Sequence, residues 1–153
     1  MKQVDTVIGC DGVVIIPTYN ERENVENIIR AVFALEKIFH ILIIDDGSPD
    51  GTAEIVKRLK DEFPERLHLL ERKGKQGLGT AYITGFKWAV LRGYDYIFEM
   101  DADFSHNPND LLKLWSACAV KGADMAIGSR YITGVNVVNW PMGRVIMSYY
   151  ASK

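Results

Sequence analysis

Hydrophobic and polar positions alternate between two periods along the chain. Val13–Ile16 is a short β-branched run ending at Pro17, the pattern of a strand buried on both faces. Val25, Ile28, Ile29, Val32 and Phe33 then recur at helical spacing, with Glu21, Glu23 and Glu26 near the helix start, where acidic groups suit the helix dipole. Ile41–Ile44 is a second continuous apolar run, closed by Asp45, Asp46 and Gly47. Ile55, Val56, Leu59 and Phe63 mark a second amphipathic helix, ended by Pro64. Leu67–Leu70 predicts a weaker third strand, and the glycine-rich loop from Gly74 to Gly79 leads into a helix carrying Ala81, Phe86, Ala89 and Val90. Tyr94–Met100 reads as a fourth strand ending at Asp101. Leu111, Leu112, Leu114, Trp115 and Cys118 form another helical face, and Met125–Ile127 predicts a fifth strand.

Continuous apolar strands alternating with amphipathic helices specify the α/β class, with a mostly parallel sheet covered on both faces. Such sheets bind ligands outside the carboxyl ends of their strands. Three polar motifs fall at those ends: Pro17 to Glu21 (PTYNE), Asp45 with Asp46, and Asp101 to Asp103 (DAD). With 153 residues and no repeat, low-complexity tract or linker, one domain is expected.

Composition narrows the partners. Hydrophobic residues at 48% and charged residues at 25% exclude disorder. A net charge of −2 lacks the basic footprint of a nucleic-acid binder, so no nucleic-acid partner is expected. Cys10 and Cys118 are too few for a disulfide framework or a four-cysteine zinc site, and a reducing compartment is the simplest reading. No stretch approaches the roughly 20 apolar residues that span a bilayer, and the opening MKQVDTVIGCDG has no signal-peptide core. The expectation is a soluble intracellular domain.

Asp101 and Asp103, two residues apart past a buried strand, can both reach a hard cation such as Mg²⁺ or Mn²⁺. An Asp-x-Asp pair is common by itself; its place on the same edge as Asp46 is what favours metal binding. In the segment from Asp45 to Thr52 (DDGSPDGT), turn geometry and a helix cap from Asp50 or Thr52 explain most residues. They leave Asp45 and Asp46 as adjacent like charges without a partner, which a nucleotide base or ribose donor would supply. The run from Lys73 to Gly79 (KGKQGLG) is neither a Walker A loop nor a dinucleotide fingerprint, since Tyr82 stands where the last glycine would be. A basic loop opening a helix can meet a diphosphate, or be an ordinary surface loop. Arg130 can pair with a phosphate or with Asp101 or Asp103. His40 and His68 read as strand-flank residues, His106 as a turn residue near Asp103, and Cys118 as core.

Taken in order, PTYNEREN from Pro17, DDGSPDGT from Asp45, GLG from Gly77, MDADFSH from Met100 and GSRY from Gly128 resemble a family 2 glycosyltransferase with the GT-A fold. Within it, the chain is most similar to the dolichol-phosphate (polyprenol-phosphate) mannosyltransferases, from about Val13 to Lys153. The resemblance implies a Rossmann-like three-layer sandwich, a nucleotide-sugar donor, GDP-mannose, and a lipid-phosphate acceptor. By motif, Pro17, Tyr19 and Glu21 would line the nucleotide, with Ile44 and Asp46 at the base. Asp101, Ala102 and Asp103 would address the diphosphate and the Mg²⁺ or Mn²⁺ ion, with Ser105 at the position of a third metal contact. Arg130 would face the donor, and Arg144 and Ser148 would meet the acceptor phosphate.

The expected reaction is inverting: in-line transfer from an α-linked donor gives polyprenyl phosphate β-mannose. A phosphate acceptor, anionic near neutral pH because its second pKa is about 6, needs no general base, whereas an alcohol would. Family members continue past the Arg144–Ser148 segment, so residues 1–153 are expected to form a single GT-A domain lacking its acceptor-side, membrane-proximal part. The full protein would work at the cytoplasmic face of a membrane as a peripheral enzyme, and an unpaired C-terminal segment would favour a homo-oligomer. Two alternatives stand beside this: a relative using UDP-glucose or another nucleotide sugar, and a non-catalytic nucleotide-binding module.

Overall fold

The apolar runs at 13–16 and 41–44 have no polar alternation, so as strands they need cover on both sides. The computed structural model provides it. It describes residues 11–129, 142–143 and 147–148. Four strands, β1 (Gly12–Thr18), β2 (His40–Asp45), β3 (Leu67–Glu71) and β4 (Tyr96–Glu99), alternate with helices α1 (Val25–Phe33), α2 (Thr52–Glu62), α3 (Leu78–Leu91) and α4 (Asp110–Ala119). The strands form one sheet in the order β3-β2-β1-β4, and every pairing is parallel.

Because side chains alternate across a strand, the two central strands feed two cores. Val14, Ile16, Ile41 and Ile43 join Val25, Ile28, Ile29 and Val32 of α1, Val56 and Leu59 of α2, and Leu111 of α4. Val13, Ile15, Leu42 and Ile44 face the other way, toward Ala81 and Ala89 of α3. Of α1–α4, three therefore lie on one face of the sheet and one on the other, which is the three-layer arrangement expected. Contact with α3 is close because Gly85 has no side chain: a Cβ there would lie 2.7 Å from Ile15 Cγ2 and 3.1 Å from Ile44 Cδ1. Away from the sheet, α3 exposes Ile83, Phe86, Val90 and Leu91.

Two expectations need correction. Met125–Ile127 is not a strand: Met125 is 75% and Ile127 79% exposed. A strand exists only through its ladder, and among the described residues β4 is paired to β1 alone, so three apolar residues do not suffice. Cys118 is half-buried rather than core. At the opposite end of the sheet from the polar motifs, His40 at the start of β2 is buried and hydrogen-bonded through Nδ1 to Tyr94 Oη at 2.8 Å. Its ring lies 5.8 Å from that of His68 on β3, which also packs against Trp88 at 4.8 Å.

Candidate active site

Since all four strands run the same way, their carboxyl ends share one edge, and the polar motifs meet there. Backbone pairing carries the order past the strands: the Asp46 N–H donates to Thr18 O, Arg72 N–H to Asp45 O, and Met100 N–H to Ile15 O. Pro17 pairs with Ile44 and Thr18 with Asp45 in the ladder. This brings the ends of β1 and β2 side by side, with β3 beyond β2 and β4 beyond β1.

The two adjacent carboxylates that lacked partners in the sequence have them within the chain. Asp45 is buried and accepts three hydrogen bonds, from Thr18 Oγ1 at 2.9 Å, Ser48 N–H at 2.9 Å and Ser48 Oγ at 2.6 Å. Asp46 is gripped by the Arg72 fork, Nε to Oδ1 at 2.6 Å and Nη2 to Oδ2 at 2.8 Å, and also accepts the Gln76 N–H at 3.1 Å. Repulsion between the two is thus offset by six donors, and no bound ligand is required to explain them.

The loop after β1 is stitched to the loop after β2. Asn20, at φ 60°, donates its N–H to Ser48 Oγ at 2.9 Å, and Glu21 its N–H to Thr52 Oγ1 at 3.1 Å. Asp50 accepts the Arg22 N–H at 3.1 Å and the Thr52 N–H at 3.0 Å. Asp50 therefore serves the first residue of α2, while Gly51 in the left-handed region is the N-cap itself. Tyr19 is exposed with the Lys75 ammonium 4.8 Å from its ring centre, so the glycine loop lies against the end of β1. Glu21 holds Asn24 Nδ2 at 2.9 Å and its carbonyl starts α1. Ile44 is fully buried, in a strand paired with β1 on one side and β3 on the other, so it lies beneath the edge rather than on its surface.

Past β4, Ala102 is buried and Asp103 exposed, with Asp101 between the two. Asp101 Oδ1 accepts from Tyr82 Oη at 3.3 Å, and its N–H donates to His106 Nδ1 at 3.2 Å. That bond puts the imidazole proton on Nε2, 3.9 Å from Asp101 Oδ2. His106 is a turn residue that fixes this loop, as its spacing suggested. Asp103 Oδ1 accepts the Ser105 N–H at 2.9 Å. Burial works to raise the Asp103 carboxyl, but the Ser105 hydroxyl and N–H, with His106 nearby, outweigh it and hold the group below its ordinary value. Burial, then the Asp101 charge, push the Tyr82 hydroxyl upward, keeping it a donor.

Asp101 and Asp103 retain open lone pairs toward solvent, and a pair of carboxylates completed by substrate phosphates is how hard cations are commonly held. The residues present fit Mg²⁺ or Mn²⁺ on that basis. Among the described residues no cluster of three or more His, Cys, Asp or Glu side chains could hold a metal unaided, so the ion would need ligands from the donor or elsewhere. Ser105 uses its N–H, and by its position its hydroxyl, on Asp103. Arg130 and Arg144 lie outside the described residues; Ser148 is helical and half-buried. Sequence reasoning missed Arg72, Thr18, Ser48 and Tyr82. Its one signal in the sequence is position: Arg72 is the first residue past β3, on the edge that also carries Asp46 and Asp101.

Residues 13–152 match the family described as glycosyl transferase family 2. The chain belongs to that family. It is 50% identical over 139 residues to the polyprenol monophosphomannose synthase of Mycolicibacterium smegmatis, covering 91% of this chain and 52% of that protein. With the undecaprenyl-phosphate mannosyltransferase of Micrococcus luteus it shares 44% identity over 138 residues, 90% of this chain and 56% of that one. The chain thus spans about half the length of the curated relatives it matches. Among solved structures, S. aureus TarS 1–349 superposes with a TM-score of 0.67 at 21% identity, over 86% of this chain and 38% of that one. That likeness is one of fold, and the fold is GT-A, as the five ordered motifs implied.

Proposed function

We propose that this chain forms the donor half of a mannosyltransferase that moves mannose from GDP-mannose to a polyprenyl phosphate. The observation that carries the reading is the Asp101–Asp103 pair at the end of β4, on the same edge as the Tyr19–Glu21 loop and Asp46, in a chain half identical to a polyprenol monophosphomannose synthase. Pro17, Tyr19 and Glu21 would line the nucleotide, with Asp46 and, beneath it, Ile44 at the base. Asp101, Ala102, Asp103 and Ser105 would lie along the diphosphate, with Arg130 facing the donor.

Asp101 and Asp103 would hold a divalent cation, which when bound stabilises the charge that grows on a departing nucleoside diphosphate. Tyr82 and His106 keep the Asp101 loop in place, and Ser105 holds Asp103 by its N–H, so the two carboxylates are positioned before the ligand arrives. The acceptor phosphate is its own nucleophile, so no residue here has to take a proton from it. Attack opposite the leaving group inverts the anomeric centre. Arg144 and Ser148 would meet the acceptor phosphate at the cytoplasmic face of a membrane. Among the described residues no helix is long and apolar enough to cross one; contact at the membrane surface, with self-association beside it, is the form of association proposed.

Calorimetric titration with GDP-mannose and with UDP-glucose, each with and without Mn²⁺, tests the reading. GDP-mannose binding that strengthens with Mn²⁺ supports it; preference for UDP-glucose moves the chain to another donor, and binding of neither overturns it.

A further inference from the structure

Most of the polar groups at the strand ends were identified by motif, but the side chain with the most extensive connections there was not. Arg72 leaves β3 and reaches two separate parts of the edge at once. Its fork closes on Asp46 with both carboxylate oxygens engaged, and the two side chains are each 9% exposed. The same guanidinium donates from Nη2 to Gly77 O at 3.2 Å and from Nη1 to Thr80 Oγ1 at 2.9 Å. Thr80 in turn donates to the Gln76 or Gly77 carbonyl, at 2.9 and 2.8 Å. The Gln76 N–H returns to Asp46, so the glycine loop and the end of β2 are tied by a closed ring of hydrogen bonds.

The backbone is shaped for this closure. Gly47, at φ +70°, passes so near the loop that a Cβ there would lie 3.1 Å from Gly74 N and 3.4 Å from Arg72 O. Gly74 and Gly77 also take positive φ, conformations that glycine adopts at little cost. Held in this way, the loop sets Lys75 over the Tyr19 ring. One positive charge is thereby fixed beside the end of β1, while the charge of Asp46 is neutralised by Arg72 and does not oppose it.

We infer that Arg72 is a positioning residue for donor binding: it locks Asp46 and the 74–79 loop into one arrangement that presents Lys75 to the diphosphate of the nucleotide. The inference rests on the donor reading above and adds a residue that acts through others. A planar fork is required, because a lysine supplies the charge as a single point and cannot hold Asp46, Gly77 and Thr80 together.

The test is a ligand ladder of guanosine, GMP and GDP, titrated calorimetrically without metal into the wild-type chain, Arg72→Lys and Thr80→Val. Thr80→Val leaves the Asp46 pair intact and cuts the link to α3, so it serves if Arg72→Lys does not fold. At metal sites, removing a side chain that orients a ligating group costs about 10–100-fold, and the lower end of that scale is taken for a loop that orients a single lysine. The wild type is expected to gain affinity from guanosine to GDP. That gain is expected to shrink about tenfold in Arg72→Lys and by a smaller factor in Thr80→Val, with guanosine affinity changing less. A merely structural role would lower all three affinities together and leave the gain unchanged, which overturns the inference. If the wild type binds GDP no better than guanosine, the donor reading fails with it. If the wild type shows the gain and a folded variant keeps it in full, only the role of Arg72 fails.

Discussion

Replacing Gly85 with Ala tests the helix-to-sheet contact beneath the site. In an exposed helix interior this change is favourable by about 1 kcal/mol, because alanine is the better helix former. Here the new Cβ would lie 2.7 Å from Ile15 Cγ2, 2.8 Å from Ile15 Cδ1 and 3.1 Å from Ile44 Cδ1. Ile15 and Ile44 are fully buried on the two central strands, and a γ-carbon on a β-branched residue cannot swing away without a rotamer change that the strand resists. Helix α3 must therefore lift from the sheet. Overpacking of this kind costs about 1–3 kcal/mol; contacts this short belong at the upper end, so the net loss is about 2 kcal/mol. Urea unfolding followed by circular dichroism reads it as a lower midpoint at unchanged slope. The cycle with Ile15→Ala isolates the cause: with the two shortest contacts gone and only Ile44 Cδ1 left at 3.1 Å, the loss on Gly85→Ala shrinks to less than half. A Gly85→Ala chain as stable as wild type, or an equal loss in both backgrounds, would refute the close-contact argument.

Four further outcomes follow from groups described above. Burial, aided by His40, Arg92 and Lys60, brings the His68 imidazole down from 6.5 to about 4, so its contribution to stability is complete above pH 6.5 and is lost as the pH falls toward 4. Discounted for its partial exposure, the loss between neutral pH and pH 5 is about 1–2 kcal/mol, and His68→Leu is expected to flatten that part of a stability–pH profile. Asp45→Ala strands Thr18 and Ser48 and is expected to cost about 3 kcal/mol in thermal or urea unfolding; a loss below about 1 kcal/mol would mean water replaces the carboxylate. Asp103→Asn should weaken Mn²⁺-dependent GDP-mannose binding, and an unchanged response to Mn²⁺ in calorimetry removes its metal role. Arg144→Ala in a full-length enzyme should spare donor affinity and reduce lipid-phosphate use; equal loss of donor affinity would place Arg144 in the donor site.

The parts of this fold legible in the sequence were those set by periodicity. β1 and β2 follow from uninterrupted apolar runs, and α1 and α2 from apolar positions at helical spacing closed by an acidic start or a proline stop. Met125–Ile127 failed because a strand is a property of two segments, and its own residues carry no record of a partner. At the site, Asp101, Asp103 and Asp46 were identified as strand-end carboxylates, but which protein groups satisfy them was not. Arg72 is 26 residues from Asp46 in sequence, and Thr18 is 27 from Asp45. Only the strand order brings each pair together. The expected need of Asp45 and Asp46 for an outside partner followed from seeing one strand end at a time. Likewise Tyr82, noticed only as a departure from a glycine pattern, acquires its place beside Asp101 from the packing of α3 on the sheet.

The strand order also has a consequence for how the chain reaches its fold. β2 and β3 can each join a neighbour completed shortly before it, but β4 must return to β1, pairing Tyr96–Glu99 with Gly12–Ile15 across α1, β2, α2, β3 and α3. By loop-closure entropy alone that return costs about 1 kcal/mol more than the β1–β2 closure, and long-range parallel pairing is slow. Strands docking in the order of synthesis would leave one side of β1 unpaired until β4 arrives. Val13 and Ile15, destined to be fully buried, wait at that open edge. An unpaired strand edge is a template for aggregation, so chaperone capture during synthesis is expected to concentrate between the appearance of β3 and that of β4; capture spread evenly along the chain would count against this order of docking.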